Sequence, residues 1–166
     1  MPAPEHIVHP LAPIVQADSR VLILGTMPSP RSRAAGFYYR HPQNRFWPTL
    51  AAVLDVPLPA DDAARERLAR THHIALWDVL ASCDIAGASD GSIRHPVAND
   101  IVGLLRGTDI RAVFTAGGAA TRLYRRLAEP AAGLPAIPLP SPSPANCRLS
   151  AAELADAYRA ILPYIT

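Results

Sequence analysis

The chain has no lysine: its 16 basic residues are all arginine. GC-rich coding is one source of such a bias, but its chemical consequence holds regardless. A lysine Schiff base cannot form, so lyase chemistry through a lysine amine is excluded. Cysteine is nearly absent as well. Cys83 and Cys147 are too few for a four-cysteine zinc site or an iron–sulfur cluster. Their wide separation, without a signal peptide, predicts free thiols in a reducing cytoplasm. No apolar run approaches the roughly 20 residues of a membrane span, which predicts a soluble protein. The G-x-G-x-x-G and P-loop fingerprints are missing too, which counts against a small-molecule nucleotide-binding protein.

What is present is a chain of 166 residues, 49% of them apolar, enough for one domain (1–166) with a core of its own. Neither a repeat nor a linker interrupts it. Met1 to Gln16, rich in proline, predicts an irregular arm packed over that domain. Arg20-Val-Leu-Ile-Leu-Gly25 is a continuous apolar run ending in glycine, the pattern of a buried parallel strand. Ile74 to Val79, Ala112 to Thr115 and Ala136 to Leu139 read as three more strands. Helices are predicted over Phe46 to Leu54, where Pro48 is tolerated in the first turn, and over Asp61 to Thr71. Gly117-Gly118 opens another through Leu127, and the capping box Ser150-Ala-Ala-Glu153 starts the last, through about Ile161. Strands alternating with helices predict an α/β fold, a parallel sheet covered on both faces.

Ligands of such sheets bind beyond the carboxyl ends of the strands. Gly25-Thr-Met-Pro-Ser-Pro30 follows the first strand and Pro140-Ser-Pro-Ser-Pro-Ala-Asn146 the fourth. Between Asp18 and Asp55 no acid occurs, while Arg20, Arg31, Arg33, Arg40 and Arg45 do, around the segment GFYYRHPQNRFW. Between Glu129 and Glu153 there is again no acid, and Arg148 lies inside. The net charge of +2 is too small for a globally basic DNA coat. Two acid-free, arginine-bearing motifs at one sheet edge point instead to a local polyanion-binding surface with rings for a flat ligand.

Each motif also has a plainer reading. The Pro-Ser alternation is an ordinary stiff turn taken alone, yet rigidity without side-chain hydrogen bonds suits a wedge entering a duplex. Phe46 and Trp47 are expected in the core, whereas Tyr39, in a loop, is expected to be an exposed stacking ring. His41 either orients its loop or contacts phosphate. Gly117-Gly118 lacks the spacing of a phosphate-binding fingerprint. His72, His73 and His95 form no ligand pattern and read as structural or solvated. Asp78 and Asp84 follow the second strand, within reach of the site edge, but as loop aspartates they read as caps or turn residues.

HPQNRFW (41–47) resembles the His-Pro-x-Asn-Arg-Phe-Trp segment of the mismatch-specific uracil-DNA glycosylases, and Gly25-Thr-Met-Pro28 stands where that family has Gly-x-Asn-Pro. The wider set LILGTMP, YYRHPQNRFW, IALWDVLASCDIAG and LPSPSPAN resembles more closely the DNA-deoxyinosine (hypoxanthine) glycosylase branch of the uracil-glycosylase superfamily. The similarity runs from about Val21 to Tyr158. It implies a three-layer α/β/α domain with a central four-stranded parallel sheet. It also implies a monofunctional enzyme of base excision repair, monomeric and without metal or cofactor, acting on DNA with deaminated bases in a bacterial cytoplasm, at the nucleoid.

The resemblance assigns catalysis to Asn44 and a base pocket to Gly25, Thr26, Met27, Pro28, Tyr39 and Ser141. The loop from Ser141 to Arg148 matches the motif that fills the gap left by a flipped base. Arg40, His41, Arg45, Ser143, Pro144, Ala145, Asn146 and Arg148 are then the expected DNA contacts. Met27 and Ser141 each replace an asparagine of the uracil-type members, which implies a wider pocket and hypoxanthine rather than uracil as substrate. A uracil-DNA glycosylase and a non-catalytic DNA-binding module of the same fold remain the alternatives. Most glycosidases use two carboxylates, and these two motifs contain none. An N-glycosidic bond to a purine can instead break dissociatively, with DNA phosphates stabilising the cationic sugar.

Overall fold

The computed structural model describes residues 2–166. Its centre is β2 (Val21–Gly25), every residue of which is buried. Such a strand needs neighbours on both edges and cover on both faces. β3 (Ile74–Asp78) pairs parallel on one side and β6 (Ala112–Ala116) on the other, and β7 (Ala136–Leu139) extends the sheet beyond β6. The order is β3-β2-β6-β7, the four-stranded parallel sheet that the sequence predicts.

The strand period of two divides the core into two layers. Val21, Ile23, Leu76 and Phe114 face one side, where α2 (Phe46–Leu54) and α7 (Ala151–Tyr158) supply Phe46, Trp47, Leu50, Leu154 and Tyr158. Leu22, Leu24, Ala75 and Val113 face the other, against Tyr124 of α5 (Gly118–Leu127) and Ile101 of α4 (Ile101–Leu105). Full burial of each large side chain contributes about 1.5–3 kcal/mol. α3 (Asp62–Thr71), opened by the Asp61 side chain accepting from Ala64 N–H, packs beside β3. The Ser150–Glu153 capping box forms as predicted and starts α7, which ends at Tyr158 in a turn of 3₁₀ helix before α8 (Leu162–Ile165).

The expectation of an irregular amino-terminal arm fails at β1 (Glu5–Val8). That strand pairs antiparallel with β4 (Leu80–Ile85), which pairs in turn with β5 (Arg94–Ala98). The resulting three-stranded sheet lies outside the predicted set because its strands leave little pattern. β1 is mostly exposed, β5 contains Pro96, and β4 is irregular, with shifts in register. Farther along the arm, Ile14 exchanges backbone hydrogen bonds with Leu76 and closes the free edge of β3. An unprotected edge strand invites pairing with other chains, so the arm protects the sheet. Short helices α1 (Pro30–Ala35) and α6 (Glu129–Ala132) complete the chain. Among the described residues, no helix is long and apolar enough to cross a membrane.

Candidate active site

The loop after β2 is pinned to the chain after β3. The carbonyl of Gly25 accepts from Val79 N–H (2.8 Å) and that of Thr26 from Leu80 N–H (3.1 Å). Thr26 and Pro28 are buried and Met27 is half-buried, which gives the loop one conformation. Ser29 then caps α1, and Gly36, at φ 74°, ends it.

Past that glycine the aromatic segment folds on itself. Tyr38 is buried, its hydroxyl donating to the Ala12 carbonyl (2.8 Å), while Trp47 Nε1 donates to the Tyr38 carbonyl (3.0 Å). Tyr39 takes φ 56°, a left-handed conformation rare for a bulky residue. It is held there by stacking on Phe46, with ring centroids 4.0 Å apart and planes 11° from parallel. The expected free ring is therefore a half-buried one, backed on one face by the core. Its hydroxyl is buried without a hydrogen-bond partner. Burial, and then the charge of Asp78, push that hydroxyl well above the ordinary phenol range.

Asn44 occupies the turn just before α2. Its Oδ1 accepts from Phe46 N–H (2.8 Å), which fixes the amide orientation, because a backbone N–H must face oxygen. The NH₂ is left as the uncommitted donor. His41 Nδ1 accepts from Gln43 N–H (3.1 Å), so its other nitrogen carries the proton when the ring is neutral.

Two expected DNA contacts of this motif are engaged inside the protein. Arg40 pairs with Asp62 of α3. The Arg45 guanidinium donates to the carbonyls of Leu149 and Asn146, both at 2.7 Å, and the Arg45 backbone N–H donates to the carbonyl of Pro142 (3.0 Å). Arg45 thus ties the first motif to the second rather than standing free for phosphate.

The second motif is a rigid loop made largely by its own side chains. Ser141 Oγ accepts from Ser143 N–H (3.1 Å), and Asn146 Nδ2 donates to the Ser141 carbonyl (2.9 Å). Asn146 is therefore a loop brace through its amide nitrogen. Pro142 is buried, while Pro144, Ala145 and Arg148 are exposed. Gly117, at φ 100°, lets the β6–α5 turn pass close to Ser141; a Cβ added at Gly117 would lie 3.2 Å from that of Ser141.

These segments enclose one cavity of about 170 Å³. A water's share of liquid volume is roughly 30 Å³, so there is room for a planar base. Gly25, Thr26, Met27, Pro28, Tyr39, His41, Asn44, Ser141, Ser143 and Pro144 all line it, which brings the expected pocket residues together. Arg40, Arg45, Ala145, Asn146 and Arg148 lie outside the lining.

Three residues near the cavity stand outside the expected site. Asp78, expected as a cap or turn, ends β3 buried and lines the cavity floor. His9 of the arm meets it, with Nε2 2.7 Å from Asp78 Oδ2. Asp90 stands at the rim, its carboxyl pushed up by burial and by Asp78 against the pull of Arg122. The first has a signal, an acid closing the apolar run Ile74-Ala-Leu-Trp77. The other two have none, since topology alone carries them there. Farther away, Asp84 is flanked by His6 Nδ1 (2.9 Å) and His95 Nδ1 (2.8 Å) on the antiparallel sheet. Those hydrogen bonds, that of His95 first, hold its carboxyl below the usual range.

The sequence profile of the uracil DNA glycosylase superfamily matches residues 12–163. The chain is similar to a hypoxanthine DNA glycosylase of Methanosarcina acetivorans, 32% identical over 94 residues, which cover 55% of this chain and 58% of that protein. A hypoxanthine DNA glycosylase of Methanosarcina barkeri is 30% identical over 88 residues, 52% of this chain and 56% of that protein. The alignments thus span little more than half of either relative. A solution NMR structure of a candidate uracil DNA glycosylase from M. acetivorans superposes with a TM-score of 0.78 at 25% identity. That superposition covers 93% of this chain and 98% of the other. A family profile spanning nearly the whole chain, on the same fold and with both motifs at one cavity, places the protein: it belongs to the uracil DNA glycosylase superfamily.

Proposed function

We propose that the protein is a monofunctional DNA glycosylase that flips a deaminated base, hypoxanthine in preference to uracil, and hydrolyses its N-glycosidic bond. The observation that carries this reading is the cavity itself, where Tyr39, Asn44 and the Ser141–Pro144 loop line one base-sized space. A base leaving the duplex needs a surface on which to stack, and Tyr39, backed by Phe46, is a rigid one. As the bond to the sugar lengthens, negative charge gathers on the base. The Asn44 NH₂, held by the Oδ1 bond to Phe46, is a preorganised donor for that charge. Water then adds its oxygen to the sugar carbon, and the base departs with a proton.

Pro144 and Ala145, exposed on a braced loop, fill the space the base has left, and Arg148 and Arg31, both exposed, contact phosphates. Met27 and Ser141 give the cavity a softer and shorter wall than two asparagines would, which suits a bicyclic base. We place the enzyme in the cytoplasm, acting as a monomer on chromosomal DNA. Single-turnover base release from duplexes bearing one deoxyinosine, deoxyuridine or deoxyxanthosine tests this, with strands cut by alkali afterwards. Hypoxanthine should leave fastest. Faster release of uracil would make the protein a uracil-DNA glycosylase, and no release at all would leave a DNA-binding module.

A further inference from the structure

Asp78 is a buried carboxylate that the two motifs do not contain, and its surroundings fix what it can do. Leu11 N–H donates to His9 Nδ1 (3.2 Å), so that nitrogen holds a lone pair and the ring proton sits on Nε2. Nε2 therefore donates to Asp78 Oδ2 at 2.7 Å. The imidazole is the neutral partner, its side chain 3% exposed, and the carboxylate, 6% exposed, carries the charge of the pair. With Oδ2 held by His9, Oδ1 is the oxygen left for an occupant of the cavity.

That oxygen lies over Gly25. A Cβ there would come within 2.5 Å of Asp78 Oδ1 and 3.3 Å of the Tyr39 hydroxyl. The carboxylate and the far end of the tyrosine therefore converge where the glycine leaves space. The tyrosine hydroxyl is buried without a partner. Buried hydroxyls rarely stay unpaired, so a polar group belongs at this end of the cavity.

Deamination of adenine or cytosine turns an exocyclic amine into a carbonyl. It also changes the adjacent ring nitrogen, a lone pair in the parent base, into an N–H. A carboxylate accepts hydrogen bonds and donates none, so it bonds the N–H and repels the lone pair. We propose that Asp78, positioned by His9, reads the ring N–H that deamination creates and so separates hypoxanthine from adenine in this cavity. The proposal rests on the glycosylase reading above and adds a specificity residue to it. Guanine and thymine carry the same N–H, so this carboxylate sets deaminated bases apart from adenine and cytosine only.

The Asp78→Asn variant tests it cleanly. His9 Nε2–H still requires an oxygen, which turns the new NH₂ toward the occupant and replaces an acceptor by a donor. The probes are duplexes containing deoxyinosine or its 1-methyl derivative, in which the ring N–H is gone. Wild-type enzyme should release hypoxanthine about 10²-fold or more faster than 1-methylhypoxanthine, the scale on which unpaired buried polar groups discriminate. In Asp78→Asn, hypoxanthine release should fall to about the rate of the methylated base, while binding to abasic product DNA stays unchanged. Equal loss on both substrates would assign Asp78 to the chemical step and overturn the proposal. Should the variant fail to fold, wild type decides: comparable rates on the two bases overturn it, and a wide gap supports it. Absence of release from any deaminated duplex would refute the glycosylase reading itself, a different outcome from either.

Discussion

Asn44 has two separable duties, and substitution at this one residue can tell them apart. Its Oδ1 accepts from Phe46 N–H at the start of α2, an end-of-helix bond whose loss costs about 1 kcal/mol. In a domain of this size that lowers the melting temperature by about 2–4 °C. Its NH₂ is the proposed donor to the leaving base, and losing one such preorganised donor slows chemistry on the order of 10²- to 10³-fold, about 2.7–4 kcal/mol. Asn44→Ala removes both, so it should melt a few degrees lower and release hypoxanthine at least 10²-fold more slowly. Asn44→Asp keeps an oxygen for Phe46 N–H but sets a second acceptor in place of the donor. It should melt near wild type and still be slow by the same factor. Thermal melts and single-turnover release on a deoxyinosine duplex, with the same protein preparations, read both effects. An active Asn44→Asp enzyme would show that the amide oxygen, not the NH₂, does the chemistry, and an active Asn44→Ala enzyme would remove Asn44 from the mechanism.

Four further outcomes follow from the same geometry. Tyr39→Ala should weaken lesion binding by roughly 1–3 kcal/mol, the scale of one base–aromatic stack, with Tyr39→Phe mild; equal damage from both, in a binding titration, would point to the hydroxyl. Arg45→Ala should destabilise the fold by about 1–3 kcal/mol, because it removes two hydrogen bonds from a charged donor to half-buried carbonyls of the second loop, and a denaturant melt measures that. Arg148→Ala should reduce the salt slope of DNA binding by about 1, whereas Arg40→Ala, already paired with Asp62, should leave it nearly unchanged. Gly25→Ala should fold but lose most base release, since its Cβ would displace the Asp78 carboxylate; full activity would show that the carboxylate's position is unimportant.

The parallel sheet was legible because its inner strands are buried on both faces, and an unbroken run as short as Val21-Leu-Ile-Leu24, closed by glycine, suits a buried strand better than a helix. The antiparallel sheet was not. Glu5–Val8 and Arg94–Ala98 are largely exposed, so their membership rests on backbone hydrogen bonds that leave no hydrophobic trace. The same division runs through the site. Tyr39, Asn44 and Ser141 lie in conspicuous motifs and do meet at one cavity. Arg45 and Asn146 lie in the same motifs, yet their polar groups hold the two loops together. A sequence shows that a side chain can bond phosphate; it does not show that a carbonyl has already taken it. His9 is the opposite case, a residue with no local signal that the arm carries across to Asp78.

This distribution of partners accounts for the absence of acid from both motifs. Across the arginines of that edge, Arg33 donates to the Pro28 carbonyl, Arg40 to Asp62 and Arg45 to two carbonyls, while Arg31 and Arg148 stay exposed. The internally bonded ones shape two rigid loops and the exposed ones are left for phosphate. A carboxylate beside those exposed guanidiniums would compete with DNA for them. A carboxylate is nonetheless useful where the base, not the backbone, must be read. The fold supplies one from β3, below the loops, where a neutral imidazole satisfies one oxygen without cancelling its charge. The exposed arginines outside the cavity and the Asp78 carboxylate that lines it thus come from different elements. Each can be altered without the other, which is why Arg148 should govern the salt dependence of binding and Asp78 the choice of base.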